Sequence, residues 1–143
     1  MAGRGSGSNA SRYRMTLVVV GLIAIGGGPG VVHPQATGFS VTPLLRTALS
    51  GDGSREVLVA TGQFERDGTT GRHITPGDEY ATVIEGTLEV WTSRKPPHRY
   101  TAGEAYHNAR GVVHESRNVG NIRAQVVSTL IVDAGRPLIE PAD

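Results

Sequence analysis

The sequence predicts an all-β protein built as one sandwich or barrel, and three observations carry that prediction. Beyond residue 55, apolar residues recur at every second position in several short runs, the period of strands with one buried face. Turns rich in Gly and Pro separate these runs at short intervals, and the chain holds 20 Gly and 8 Pro in 143 residues. No stretch beyond residue 40 carries the 3.6-residue stripe of an amphipathic helix, apart from one helical turn expected near Pro43 to Thr47. The length suits a single domain. Two Phe, four Tyr and one Trp are too few to fill a core, so Val, Ile, Leu and Ala must do so.

The first 36 residues are of another kind. Met1 to Arg14 is rich in Gly and Ser, with Arg4, Arg12 and Arg14 and no acid. Leu17 to Ile25 (LVVVGLIAI) is an apolar run, followed by Gly26-Gly27-Gly28-Pro29-Gly30. Basic, apolar and small-residue segments in that order are the pattern of a secretory signal. The run is too short for the roughly 20 apolar residues of a membrane span. A cleaved signal is therefore expected, with a retained N-terminal anchor or an unstructured cytosolic tail as the alternatives. Export to the periplasm or the exterior follows from the first, and membrane contact only through this segment from the second.

The remaining elements follow in order. Residues 37–54 read as a lead-in, and 55–143 as the barrel. Glu56 to Phe64 alternates as a strand, ended by Asp67-Gly68. Tyr80 to Thr92 is β-rich and broken at Glu85-Gly86, after which Leu88, Val90 and Thr92 share a face. Arg94-Lys95-Pro96-Pro97 reads as a turn, since neither a helix nor a central strand accommodates it. Short strands are expected over Glu104 to Asn108 and Val112 to Arg117, with a turn at Asn118 to Asn121. The last long strand is Ile122 to Asp133, stopped by Ala134-Gly135-Arg136-Pro137.

Composition excludes several functions. Without Cys there is no disulfide framework, thiol nucleophile or thiolate metal site. A formal charge of +1 argues against nucleic-acid binding. That charge belongs to the leader: without its three Arg, the other 107 residues hold 11 basic and 13 acidic groups, a charge of −2.

Three candidate metal ligands lie in two clusters. In Gly71-Arg72-His73-Ile74-Thr75-Pro76-Gly77-Asp78-Glu79, His73 and Thr75 share a face of an extended segment, and the Pro-Gly turn can return Glu79 towards it. His114 comes from a later strand. Two imidazoles and a carboxylate suit a divalent metal, Fe(II) among them when positions stay open.

The two clusters resemble the paired motifs of the cupin superfamily. The first motif, G-x5-H-x-H-x3,4-E-x6-G, is met by His73-x-Thr75-x3-Glu79-x6-Gly86, with Gly68 one place short of the leading glycine. The second, G-x5-P-x-G-x2-H-x3-N, is met by Gly103-x5-Ala109-x-Gly111-x2-His114-x3-Asn118. The resemblance spans about residues 55–135 and is closest to short, single-domain exported cupins. It implies a cupin-type jelly roll, or double-stranded β-helix barrel, with a small-molecule ligand at its mouth and a homodimer as one form of assembly.

The resemblance carries over three of four ligand positions: His73, Glu79 and His114. Thr75 stands where the family has its second imidazole, and Ala109 where it has proline. A neutral hydroxyl is a poor metal ligand, so Thr75 is expected to line the substrate pocket. The implied cofactor is a divalent metal, Fe, Mn, Zn or Ni. The implied activity is exported, metal-dependent chemistry on a small organic molecule, of dioxygenase, lyase or isomerase type, with Glu79 as base if it is not a ligand. The alternative is a metal-free cupin that binds or senses a small molecule.

Each residue also has a plainer reading: His73 as a solvated strand end, His114 as an ordinary strand histidine, and Glu79 as a buried carboxylate in need of a partner. His98 and His107 read as structural or surface groups. Asn118 and Gly86 read as turn formers tolerant of positive φ. Trp91, Tyr100 and Tyr106 read as core or interface.

Overall fold

The computed structural model describes residues 35–142. The reading of residues 1–36 as a signal or anchor thus lies outside the described residues, save for the last two. Ten strands follow in order: β1 (Gln35–Leu49), β2 (Asp52–Gly71), β3 (His73–Ile74), β4 (Gly77–Glu85), β5 (Thr87–Thr92), β6 (Lys95–Thr101), β7 (Ala105–Asn108), β8 (His114–Asn118), β9 (Ala124–Asp133) and β10 (Glu140–Pro141). Among the described residues there is no helix.

All pairings are antiparallel. One layer runs β1-β2-β9-β4-β7 and the other β10-β3-β8-β5-β6. The long β2 joins them, its first half pairing with β9 and its end meeting β8 at Thr69 and Arg117. The layers close on each other because strand alternation gives each one an apolar inner face. Phe64, Ala81, Val83, Tyr106, Ala124 and Val126 of the first layer pack with Leu88 and Val90 of the second. A second cluster, Leu58, Ala60, Leu130 and Val132, fills the other end, with Val41 and Leu138 against it. The result is an all-β jelly roll, as expected.

Four local expectations are corrected or refined. Pro43 to Thr47 is no helical turn but part of β1. As an edge strand, β1 needs no donor from Pro43, and a register shift between Pro43 and Leu45 absorbs the ring. Asp67-Gly68 does not end β2: Asp67 takes φ +59° in an irregularity opposite Gly38, and the strand continues to Gly71. Pro96 and Pro97 lie not in the turn but in β6, which pairs only with β5 and is also an edge. Asn118 keeps a negative φ, unlike Gly86 (φ +78°), where an added Cβ would lie 2.6 Å from Arg123 O. Asn118 shapes its turn through its side chain instead.

The inner face of β9 reads Ala124, Val126, Ser128, Leu130, Val132, all buried. Ser128 is thus a polar residue between two apolar pairs. On β4, Glu79 is the inward residue next to Ala81, which is the register partner of Ser128, so the two polar side chains meet diagonally. A polar belt therefore separates the two apolar clusters.

Candidate functional site

The belt is assembled by register. Glu79 on β4 lies opposite Asn108 on β7, and its neighbour on the other side, β9, contributes Ser128. His73 on β3 is the direct cross-strand partner of His114 on β8. Gly111 N, in the turn before β8, donates to Thr75 O at 3.2 Å, tying the two motifs together. His73, Thr75, Asn108 and His114 are all at most 5% exposed.

Both imidazoles are fixed by their own backbone. His73 Nδ1 donates to Gly71 O at 2.9 Å, and His114 Nδ1 donates to Val112 O at 2.8 Å. A carbonyl only accepts, so each ring carries a proton on Nδ1 and turns Nε2 towards the interior. The rings meet edge to face, with centroids 4.2 Å apart. Burial first, and then the neighbouring His114, hold the His73 pKa below its ordinary value, which keeps that ring neutral.

Glu79 is the charge of the belt. Its Oε1 accepts from Ser128 Oγ at 2.9 Å and its Oε2 from Asn108 Nδ2 at 3.0 Å. Burial pushes its pKa up, but His114 and the two donors outweigh that and bring it to about 2. The side chain is 16% exposed, so the anion stands in a largely dry interior. His114 Nε2 lies 3.6 Å from Glu79 Oε2, beyond hydrogen-bond reach, and it has no other partner.

These donors fit a divalent ion in chemistry, and in position at one pair. Two atoms bound to one ion at 2.0–2.2 Å stand roughly 3.0–3.5 Å apart, close to the spacing of His114 Nε2 and Glu79 Oε2. Among the described residues, however, no three His, Asp or Glu side chains are gathered tightly enough to hold a metal as a set. His73 touches the pair through its ring contact with His114. Thr75 borders the interior beside them.

An interior cavity of about 60 Å³ opens from the belt. His73, Thr75, Glu79 and Ser128 line its polar side, while Phe39, Leu58, Leu130 and Leu138 are among its apolar walls. The volume admits roughly four water-sized bodies, hence only a small ligand.

Asn108, Ser128, Tyr106 and Ser116 are belt or cavity residues that motif spacing did not reveal. Strand parity would have found them, since each sits at an inward position of its strand. Burial first, and then Glu79, raise the Tyr106 pKa, so its hydroxyl stays protonated and meets Ser116 Oγ at 3.5 Å. His98 and His107 lie outside the belt. His107 is half-exposed, bonds Asp78 Oδ1 at 2.8 Å and stacks on Tyr80, while His98 packs against Tyr100 on β6. Trp91 sits under the Arg72 guanidinium, 4.5 Å from its ring centre.

Solved structures share this architecture. The polyketide cyclase RemF from Streptomyces resistomycificus is 18% identical, with a TM-score of 0.60 over 79% of this chain and 77% of that one. A conserved protein of unknown function from Streptococcus pyogenes is 16% identical, with a TM-score of 0.55 over 68% of this chain and 76% of that one. An oxalate oxidase is 27% identical, with a TM-score of 0.53 over 68% of this chain. The chain spans 55% of the oxidase's length. No curated protein matches the sequence. The cupin domain family matches residues 60–131, just over half of the 143 residues and both ligand clusters. With the jelly roll and both motifs in place, the chain belongs to the cupin domain family.

Proposed function

We propose that this cupin holds a divalent metal ion between His114 and Glu79, with His73 as third donor, and presents it to a small organic molecule in the barrel interior. The observation that carries this reading is the buried, unpartnered Nε2 of His114 facing an ionised carboxylate oxygen at 3.6 Å. A buried carboxylate and an unpartnered ring nitrogen are both costly in a dry interior. A cation removes that cost and gives the orphaned nitrogen a bond.

When bound, the metal would act as a Lewis acid on a carbonyl or hydroxyl, or activate dioxygen. The chain's own residues have simpler tasks. Asn108 and Ser128 aim the two carboxylate oxygens, the Gly71 and Val112 carbonyls orient the rings, and the apolar walls exclude water from the ligand. With a pKa near 2, Glu79 is too weak a base for proton abstraction at neutral pH, which favours its role as ligand. The likeness to oxalate oxidase supports a small oxygen-bearing ligand. An anionic one would need the metal to offset Glu79. The leader-like residues 1–36 make export part of the same proposal.

A metal-free binding cupin is the second reading, favoured by the lack of a tight three-donor set among the described residues. Metal analysis of the protein purified without chelators separates the two. About one ion per chain, lost in His114→Ala, is expected. A metal-free protein whose melting temperature ignores chelator would reject the first reading in favour of the second.

A further inference from the structure

Two buried side-chain atoms lack any hydrogen-bond partner among the described residues: His114 Nε2 and Asn108 Oδ1. Both belong to side chains that face the same atom, Glu79 Oε2, at 3.6 Å for His114 Nε2 and 3.0 Å for Asn108 Nδ2. Asn108 is 1% exposed, so its orphaned oxygen cannot be satisfied by bulk water. A lone orphan would be a packing flaw; two acceptors orphaned around one carboxylate oxygen form a pattern. All three are atoms that can give a lone pair to a metal, and what they lack in common is a cation.

We infer that the side-chain oxygen of Asn108 is a ligand of the metal, supplying the donor that Thr75 does not. This rests on the metal reading above and adds a residue to it. An amide carbonyl is a neutral oxygen donor that hard divalent ions accept, whereas a threonine hydroxyl is a poor one. The two ends of the amide head are nearly isosteric, so a half-turn about the last side-chain bond exchanges them. That turn puts Oδ1 where Nδ2 now stands, 3.0 Å from Glu79 Oε2. Two oxygens at that distance repel each other when nothing lies between them. On one ion at about 2.1 Å, ligands at right angles stand about 3.0 Å apart. Without metal the NH2 group donates to the carboxylate; with metal the oxygen turns in. The register pair of Glu79 on β4 and Asn108 on β7 makes this possible, since directly opposed residues of adjacent strands share a face.

The test uses the full chain and Co2+ alone, read by its visible absorption and by affinity from titration. Wild type should bind one Co2+, and His114→Ala should lose it. Asn108→Leu removes the donor at similar size; it should weaken Co2+ binding by about tenfold or more and alter the absorption bands as a water replaces the amide oxygen. Asn108→Asp keeps an oxygen and should bind Co2+ at least as tightly as wild type. A role limited to positioning Glu79 predicts the opposite for Asp, whose charge would push Glu79 away. It also predicts that Asn108→Leu leaves the bands unchanged and weakens binding no more than Ser128→Ala does. That pattern, or wild-type binding in Asn108→Leu, overturns the Asn108 assignment and leaves the metal reading standing. No Co2+ binding by wild type overturns both.

Discussion

His114 Nε2 and Glu79 Oε2 face each other at 3.6 Å in the barrel interior, one unpartnered and the other ionised. At that distance they do not hydrogen-bond, and the Val112 carbonyl holds the other end of the ring through Nδ1. In metal-free protein the ionised carboxylate relies on its Asn108 and Ser128 donors, and acid that protonates it should weaken that hold.

The first prediction concerns pH in the presence of chelator. Glu79 is held at about 2, below its ordinary 4.5, so the stability it contributes is complete above pH 4.5 and lost as pH falls towards 2. His73 is also held below its ordinary 6.5, so its contribution is complete above 6.5 and lost below it. Both act in the same direction. Urea midpoints should be level above pH 7, decline below 6.5 and steepen below 4.5, with Glu79 accounting for about 3 kcal/mol of the loss. Glu79→Gln should flatten the lower part of the curve. A midpoint that holds level down to pH 3 would rule out an ionised Glu79.

Asn118 supplies the second prediction. Its Nδ2 donates to Ile122 O at 2.8 Å and Glu65 O at 3.0 Å, and its Oδ1 accepts from Gly120 N at 2.9 Å. It is 1% exposed, so truncation leaves backbone groups of the turn and of β2 without partners. Asn118→Ala should cost about 3 kcal/mol in urea unfolding at pH 7, and Asn118→Asp more, because a carboxylate would face those carbonyls. A loss under about 1 kcal/mol for either would show that the turn stands without it.

Much of this fold was legible because the inner faces obey period two. The break at Glu85-Gly86 was readable from glycine chemistry, and both ligand clusters from spacing. Pro43, Asp67 and the Pro96-Pro97 pair misled for one reason: each breaks a central strand, but all lie at edges or irregularities, and edge position is a property of the sheet rather than of the local sequence. His73, Glu79 and His114 could be named because the motif marks them. Asn108 and Ser128 could not, because Asn108 stands opposite Glu79 in register and Ser128 reaches it diagonally from β9, facts of strand order that no local pattern holds.

Gly77 carries the third prediction. A Cβ there would lie 1.9 Å from Ile131 O and 2.6 Å from Val132 Cα, all backbone and unable to yield. Gly77→Ala must therefore push β4 off β9 at the end that sets Glu79 in place. A loss of at least about 3 kcal/mol is expected, at the upper end of overpacking costs, together with weaker Co2+ binding in whatever folds. Normal stability would mean that β4 and β9 are further apart than described.

The fourth prediction reverses the departure at position 75. Thr75 is 2% exposed and borders the cavity of about 60 Å³ beside His73 and Glu79. A larger ring there has some free volume to enter, so Thr75→His should cost only about 1–3 kcal/mol of stability. In return it adds an imidazole, a better donor than any hydroxyl. Co2+ affinity should rise by about tenfold or more. The gain should survive in the double variant Thr75→His, Asn108→Leu, because the new ring would stand in for the lost amide oxygen. Urea unfolding and Co2+ titration of the single and double variants measure both effects. A stable Thr75→His protein with unchanged affinity would mean that position 75 does not face the donors at all.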